Sequence, residues 1–289
     1  MDLTLERLRI PPLHGGCLLK TSYCADNEAF ERLVSELAVT VAPNVSTGAA
    51  TIGPAGFYLG VSSSLTPISA NQQTWQRGTE GSGNVVRNGS PDGALLWNRL
   101  FVRKGLPFGL ELGTSVGQGA NTSMWVLSAE VKWALLEGFH SGTGHFPDLA
   151  VHGALSSTVG ARALTLSTNT LDLTLSKPYV VGGSYRLTPF VAAQLLFVRA
   201  HTSGVDLTPA TNASVVASDA ANNVVFNPVT QTRGRAFAGF ELRHELIITA
   251  LSVGYDLAVP TLRANNPKDG LDGKLARQIA FQLSLGLRY

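Results

Sequence analysis

His201 and Ser203 are the pair in this sequence whose types and spacing suit nucleophilic chemistry. Two residues apart on a strand, they project to one face. There an imidazole can take the proton of a serine hydroxyl and make it a nucleophile. Such a site also needs a group that orients the imidazole. Asp206 and Asn212 are the candidates, both in what reads as a loop. A His and a Ser at a strand end also serve as ordinary polar residues, and no convincing third group favours the catalytic alternative.

The remaining chemistry is sparse. Cys17 and Cys24 are the only cysteines. Their short loop suits a disulfide in an oxidising compartment. A metal or redox pair would want closer spacing or nearby histidines, and His14 alone is poor support. No metal and no cofactor is therefore expected. Gly81-Ser-Gly83, Gly117-Gln-Gly119 and Gly142-Thr-Gly144 lack the strand-to-helix context of a phosphate site and read as turns. Four Asn-x-Ser triplets, at Asn44, Asn88, Asn121 and Asn212, match the glycosylation pattern without adding a function. The net charge is +2 with the signs mixed, so no basic stripe supports nucleic-acid binding.

The elements that must position these residues are strands. Charged residues make up 15% of the chain, against roughly 25% in a soluble domain. The mean hydropathy is +0.14, yet no run approaches the ~20 apolar residues of a spanning helix. Phe190–Val198 and Leu246–Val253 are the best candidates, and both are short and interrupted. Met1–Arg9 is charged and is followed by Pro11 and Pro12, with no apolar stretch of a signal peptide. An exported protein would then be present in its mature form. Asn27–Leu37 has helical spacing, with Phe30, Leu33, Val34 and Leu37 on one face and Asp26 or Asn27 as cap. This predicts a short amphipathic helix docked at the mouth of the main domain, within an N-terminal segment of residues 1–50.

Residues 51–289 alternate with a period of two in ten segments. Phe57, Leu59, Val61 and Leu65 open the series. Leu95–Arg103 follows, then Phe108–Val116, Trp125–Leu135 and Leu149–Thr158. Leu171–Ser176, Val191–Phe197 and Arg235–Arg243 come next, before Ile247–Leu257 and Gln278–Tyr289. Connections after segments two, four, six and eight read as short: Lys104–Leu106, Gly138–Pro147, Lys177–Arg186 and His244–Glu245. Those after segments one and seven, Thr66–Gly93 and Thr202–Gly234, are long and polar, and Ala258–Leu275 is of middling length. Short turns on one side and long loops on the other are the habit of a membrane barrel, whose short turns are periplasmic. An even count then puts both termini on the periplasmic side.

Two observations favour lipid over a soluble sandwich. Trp125 and Trp133 share a face eight residues apart, as do Phe281 and Tyr289. That interval is about 26 Å along a strand, or roughly 20 Å across the membrane after tilting, close to the separation of two aromatic girdles. The opposite face collects Glu111, Glu130, Lys132, His152, Asp172, Arg235, Glu241, Asp256 and Arg288. In a barrel these charges face a narrow lumen and can pair across strands as a structural network.

The carboxy terminus, Phe281-Gln-Leu283-Ser-Leu285-Gly-Leu287-Arg-Tyr289, resembles the closing strand of bacterial outer-membrane β-barrel proteins. The resemblance implies an all-β antiparallel transmembrane barrel of about ten strands, surrounded by outer-membrane lipid and lipopolysaccharide. It also implies insertion by the machinery that reads the last strand. It names no functional family. The leading expectation is a non-enzymatic barrel, either a structural partner or anchor of an envelope-spanning or surface assembly, or a narrow porin-like channel. The long loop Thr202–Gly234, with Val215-Val216 and Val224-Val225-Phe226, would extend segments seven and eight as a platform, and residues 1–50 would form a second, periplasmic one. The alternative rests on His201 and Ser203, which resemble the His-x-Ser arrangement of outer-membrane phospholipases and lipid A deacylases.

Overall fold

The computed structural model describes residues 1–14, 17–18, 22–81, 87–137, 146–161, 163–209, 223–261 and 275–289. Ten strands form the wall: β1 Phe57–Pro67, β2 Ala94–Leu106, β3 Leu110–Gly119, β4 Trp125–Leu136 and β5 Asp148–Val159. They continue as β6 Leu164–Ser176, β7 Tyr185–Thr202, β8 Val229–His244, β9 Ile247–Ala258 and β10 Ile279–Arg288. Each pairs antiparallel with its neighbour in sequence, and β10 returns to β1 with Leu283 opposite Ser63, so no edge is left open. The wall is a closed ten-stranded barrel.

Alternation has a direct physical cause here. In β1, Phe57, Leu59, Val61 and Leu65 are exposed on the outside while Tyr58, Ser62, Ser64 and Thr66 are buried within. The same pattern runs through β6, β7 and β10. Many inward residues are small, such as Thr168, Thr170, Thr174 and Ser176 of β6, which leaves the lumen room for a further element.

That element is the N-terminal segment. Helix α1, Asn27–Val41, is capped by Asp26, whose carboxylate accepts from Ala29 N at 3.0 Å. Its apolar face, Phe30, Leu33, Val34 and Leu37, packs among Leu166, Leu196, Val198 and Trp97 on the inner wall. The hydrophobic core therefore lies inside the barrel. Glu31, Ser35, Glu36 and Thr40 on the other face are buried as well. Amphipathic spacing suggests a helix half in water at a mouth; instead both faces meet the lumen, because the wall itself is apolar on one side and polar on the other. The segment continues through residues 42–52 to the opposite rim, where β1 begins.

The described residues among 1–26 consequently sit at the long-loop rim. Leu3 bridges to Thr79, Thr4 N donates to Gly78 O at 2.9 Å, and Asp2 accepts from Ser123 N at 2.6 Å in the β3–β4 link. Arg9–Ile10 pairs with Cys24–Ala25, and a disulfide joins Cys17 to Cys24. Helix α2, Gln73–Gly78, completes this cap, with Arg77 bonded to Asp26 at 2.9 Å. Tyr289 pairs with Phe57 at the short-turn rim. The two ends of the chain thus lie at opposite rims, which corrects the expectation that they share a side. The even strand count governs only where β1 begins and β10 ends; the threaded segment carries Met1 across.

Several boundaries also differ. β2 runs on through Lys104–Leu106, and the turn is Pro107–Gly109, with Phe108 at φ 65°. Within the connection expected at Lys177–Arg186, Tyr179–Val181 pairs with Tyr185–Leu187 as a short hairpin beyond β6. Gly117 and Gly119 belong to β3 rather than to a turn: a Cβ on Gly117 would meet Arg99 Cγ at 2.6 Å, so the glycine makes room for that guanidinium. At the other rim β7 and β8 are long, with Val205–Asp206 pairing to Asn223–Val224 above them. Val215-Val216, Asn212, Gly142 and Gly144 lie outside the described residues.

Candidate functional site

The lumen is where the polar chemistry collects, and it has two storeys. In the half nearer the long loops, Arg233 pairs with Asp256 and donates to Ser35 Oγ of α1 at 2.6 Å. Arg235 lies 3.4 Å from Asp256 and donates to Gln194 Oε1 at 2.9 Å and to Asn44 Oδ1 at 3.1 Å. Gln231 reaches Glu31 at 3.1 Å. Glu36 accepts from Trp75 Nε1 at 2.9 Å and from Ser69 N at 2.8 Å, tying the helix to the β1–β2 loop.

Below the helix the charges form a connected chain. Arg103 pairs with Glu130 and stands 3.9 Å from Glu111, which lies 3.6 Å from Lys132. His152 contacts Asp172 through Nδ1 at 2.6 Å and Glu130 through Nε2 at 3.2 Å. These groups also hold the extended segment. Lys132 Nζ donates to Ala50 O at 3.0 Å, Glu111 accepts from Ile52 N at 3.2 Å, and Arg288 donates to Ile52 O at 2.6 Å. Glu241 accepts from Gly48 N at 3.3 Å.

Of the residues singled out from sequence, Glu111, Glu130, Lys132, His152 and Asp172 thus meet in one cluster, Arg235 and Asp256 in a second, while Glu241 and Arg288 each hold the plug. Sequence reasoning missed Arg233 because segment eight was started at Arg235, although Arg233 shares its parity. Arg99 and Arg103 lie opposite Leu96, Leu100 and Val102 in segment two and were not counted in the network; the Arg99 guanidinium donates to Val41 O at 2.6 Å and to Ala42 O at 3.2 Å. α1 has no basic residue in its last turn. The wall supplies the cation that the orphan carbonyls of a helix C-terminus attract.

Outside, Trp125, Trp133, Phe281 and Tyr289 are all exposed, Trp125 and Phe281 towards the long-loop rim and Trp133 and Tyr289 towards the other. His201 and Ser203 are also exposed on or beside the outer wall. Ser203 is held through its backbone N–H to Ala163 O at 3.0 Å, and the Asp206 carboxylate is occupied by Thr208 N at 2.8 Å. Among the described residues no hydrogen bond links the imidazole to the serine or to Asp206, so no triad is assembled. Among them, too, no group of His, Cys, Asp and Glu has the arrangement of a metal site.

A wall that is apolar outside, polar inside and closed on itself satisfies its backbone internally and presents hydrocarbon to its surroundings, as only a membrane barrel requires. The chain has the fold of an outer-membrane β-barrel. Among solved structures it is similar to the N-terminal β-barrel domain of Pseudomonas aeruginosa OprF, at 13% identity over 82% of this chain and 99% of that one, with a TM-score of 0.30. It is similar also to Ail, the attachment invasion locus protein of Yersinia pestis, at 10% identity over 81% and 97%, TM-score 0.27. The outer membrane protease OmpT from Escherichia coli aligns at 9% identity over 86% and 99%, TM-score 0.32. No protein-family model matches the chain, and no curated protein matches it.

Proposed function

We propose that this protein is a non-conducting, non-enzymatic outer-membrane barrel that serves as the membrane-embedded partner of an envelope or surface assembly. The observation that carries the proposal is the plug. Residues 27–52 run through the lumen towards the short-turn rim and are hydrogen-bonded to the wall at both levels, from Ser35–Arg233 to Ile52–Arg288. A conducting pore needs a continuous water path, and the plug occupies the narrow one that ten strands enclose. With the short turns periplasmic, as is usual, the plug delivers residues 1–26 and their disulfide to the cell surface beside the long loops. The rigid barrel then works as a mount for that rim. Planar-bilayer recording of the intact protein tests this: a silent membrane is expected, and steady open steps would overturn it.

A further inference from the structure

The plug ends short of the periplasm-type rim and leaves a cavity below it, with about 40 Å³ of space open to the centres of water-sized molecules. One water needs roughly 10–15 Å³ on this measure, so the space suits a group the size of a small oxyanion. Arg186, Arg243 and Arg288 line it, with Thr188, Tyr58 and Glu241.

The pairing of these arginines sets them apart from the other lumenal cations, Arg99 at the end of α1 excepted. Arg186 of β7 stands directly opposite Arg243 of β8, both on the inner face. Like charges in that position destabilise a sheet. Elsewhere in the lumen Arg103, Lys132, Arg233 and Arg235 each have a carboxylate within 4 Å. Among the described residues none of Arg186, Arg243 and Arg288 has one. Arg243 donates only to Glu245 O at 3.4 Å, and Arg288 to Ile52 O. Two acids line the cavity: Glu111, which stands beside Lys132 and Arg103, and Glu241, which already accepts from Gly48 N.

A second observation is independent of charge. Tyr58 is 1% exposed and lines the same cavity; its hydroxyl has no hydrogen-bond partner of normal geometry, with the Ser284 hydroxyl near enough to interact with it. A buried hydroxyl left unpaired is costly and calls for an acceptor.

We infer that this vestibule binds a phosphate-type oxyanion between the three guanidinium groups, with the Tyr58 and Thr188 hydroxyls as further donors. Guanidinium forks match the oxygens of phosphate in paired, charge-assisted hydrogen bonds, and a doubly charged anion offsets the excess that Glu241 leaves. The site lies level with Phe57, Tyr185 and Tyr289 on the outer wall, aromatic residues of the kind that mark the headgroup zone. The same chemistry is therefore offered by a phospholipid headgroup at the rim and by a free phosphate in the aqueous phase. The inference needs the plug in place as the cavity's floor, but it does not depend on what the other rim binds.

The test is titration calorimetry on the full chain in non-ionic detergent, first with inorganic phosphate and then with a short-chain phosphatidic acid. Saturable binding of at least one probe is expected, weakened tenfold or more in Arg186→Gln/Arg243→Gln. Binding of phosphate itself identifies a free solute, and binding of the lipid alone identifies a headgroup. Each variant is first checked by its migration on an unheated gel, and single Arg186→Gln replaces the double variant if that does not fold. Silence with both probes, or equal affinity of native and variant protein, overturns the inference.

Discussion

The two storeys of the lumen handle one continuous segment in opposite ways. Around α1 the wall is largely apolar, with Trp97, Leu166, Leu196 and Val198 against Phe30, Leu33 and Val34. Around residues 43–52 it is charged. The difference follows from the backbone. A helix satisfies its own N–H and C=O groups, so it can lie against hydrocarbon. An extended strand inside a barrel has no sheet neighbour, so each of its buried polar groups must find a side chain. Gln194 Nε2 donates to Pro43 O at 3.1 Å, Glu137 accepts from Thr51 N at 2.6 Å, and Lys132 serves two carbonyls. Arg99 stands at the junction, where the last carbonyls of the helix become orphans. The wall's chemistry thus tracks the conformation of what it encloses.

The largest effect is expected from removing the segment altogether. A chain lacking residues 1–50 should lose stability in both storeys and show steady conductance steps that the intact protein lacks. A barrel that stays silent in bilayers without its plug would show that the wall collapses on itself and needs no plug to close.

Single substitutions then weigh polar contacts against apolar packing around the helix itself. In the polar network, Asp256→Ala leaves the Arg233 and Arg235 guanidinium groups buried without their carboxylate. Such a break costs about 3–5 kcal/mol. On the apolar face of the helix, Leu33→Ala leaves a cavity against Gly78 and Trp75 and should cost about 2–5 kcal/mol. Denaturant unfolding in micelles reads both. If the charge deletion proves harmless while the leucine deletion does not, the network is incidental and packing alone retains the plug.

The smallest effect is at the tip. Burial raises the Asp2 carboxyl, but the Ser123 N–H and the Thr122 and Ser123 hydroxyls outweigh it and hold the group below its ordinary value of 3.8. A depressed carboxylate contributes stability above its ordinary pKa, and that contribution is lost as pH falls through the folded value. Acidification below 3.8 should therefore release the N-terminal tip while the barrel persists. Hydrogen exchange at the Ser123 amide would report it: protection falling with pH in the native protein and already absent at neutral pH in Asp2→Ala. Unchanged protection in that variant would mean that the Leu3–Thr79 bridge alone holds the tip.

The wall was legible because lipid and lumen impose opposite demands on adjacent residues. Leu283 and Ser284 cannot exchange faces without exposing a hydroxyl to hydrocarbon, so β10 is written in its residues. Strand ends were less legible. Arg233 and Lys104–Leu106 lie where the outward neighbours are Gly234, Thr232 or a turn, and alternation fades. The helix was readable as a helix but not in its place, since spacing reports which face is apolar and not what the polar face meets.

Sequence alone thus determined a membrane barrel, its ten strands and the facing of its charges, because those follow from nearest neighbours along each strand. Only the tertiary structure decided that residues 27–52 run inside it, which carboxylate each arginine holds, and that Arg186 and Arg243 confront one another unpaired. Those outcomes depend on register between strands far apart in the chain and on the space a closed wall leaves, and no local pattern carries either.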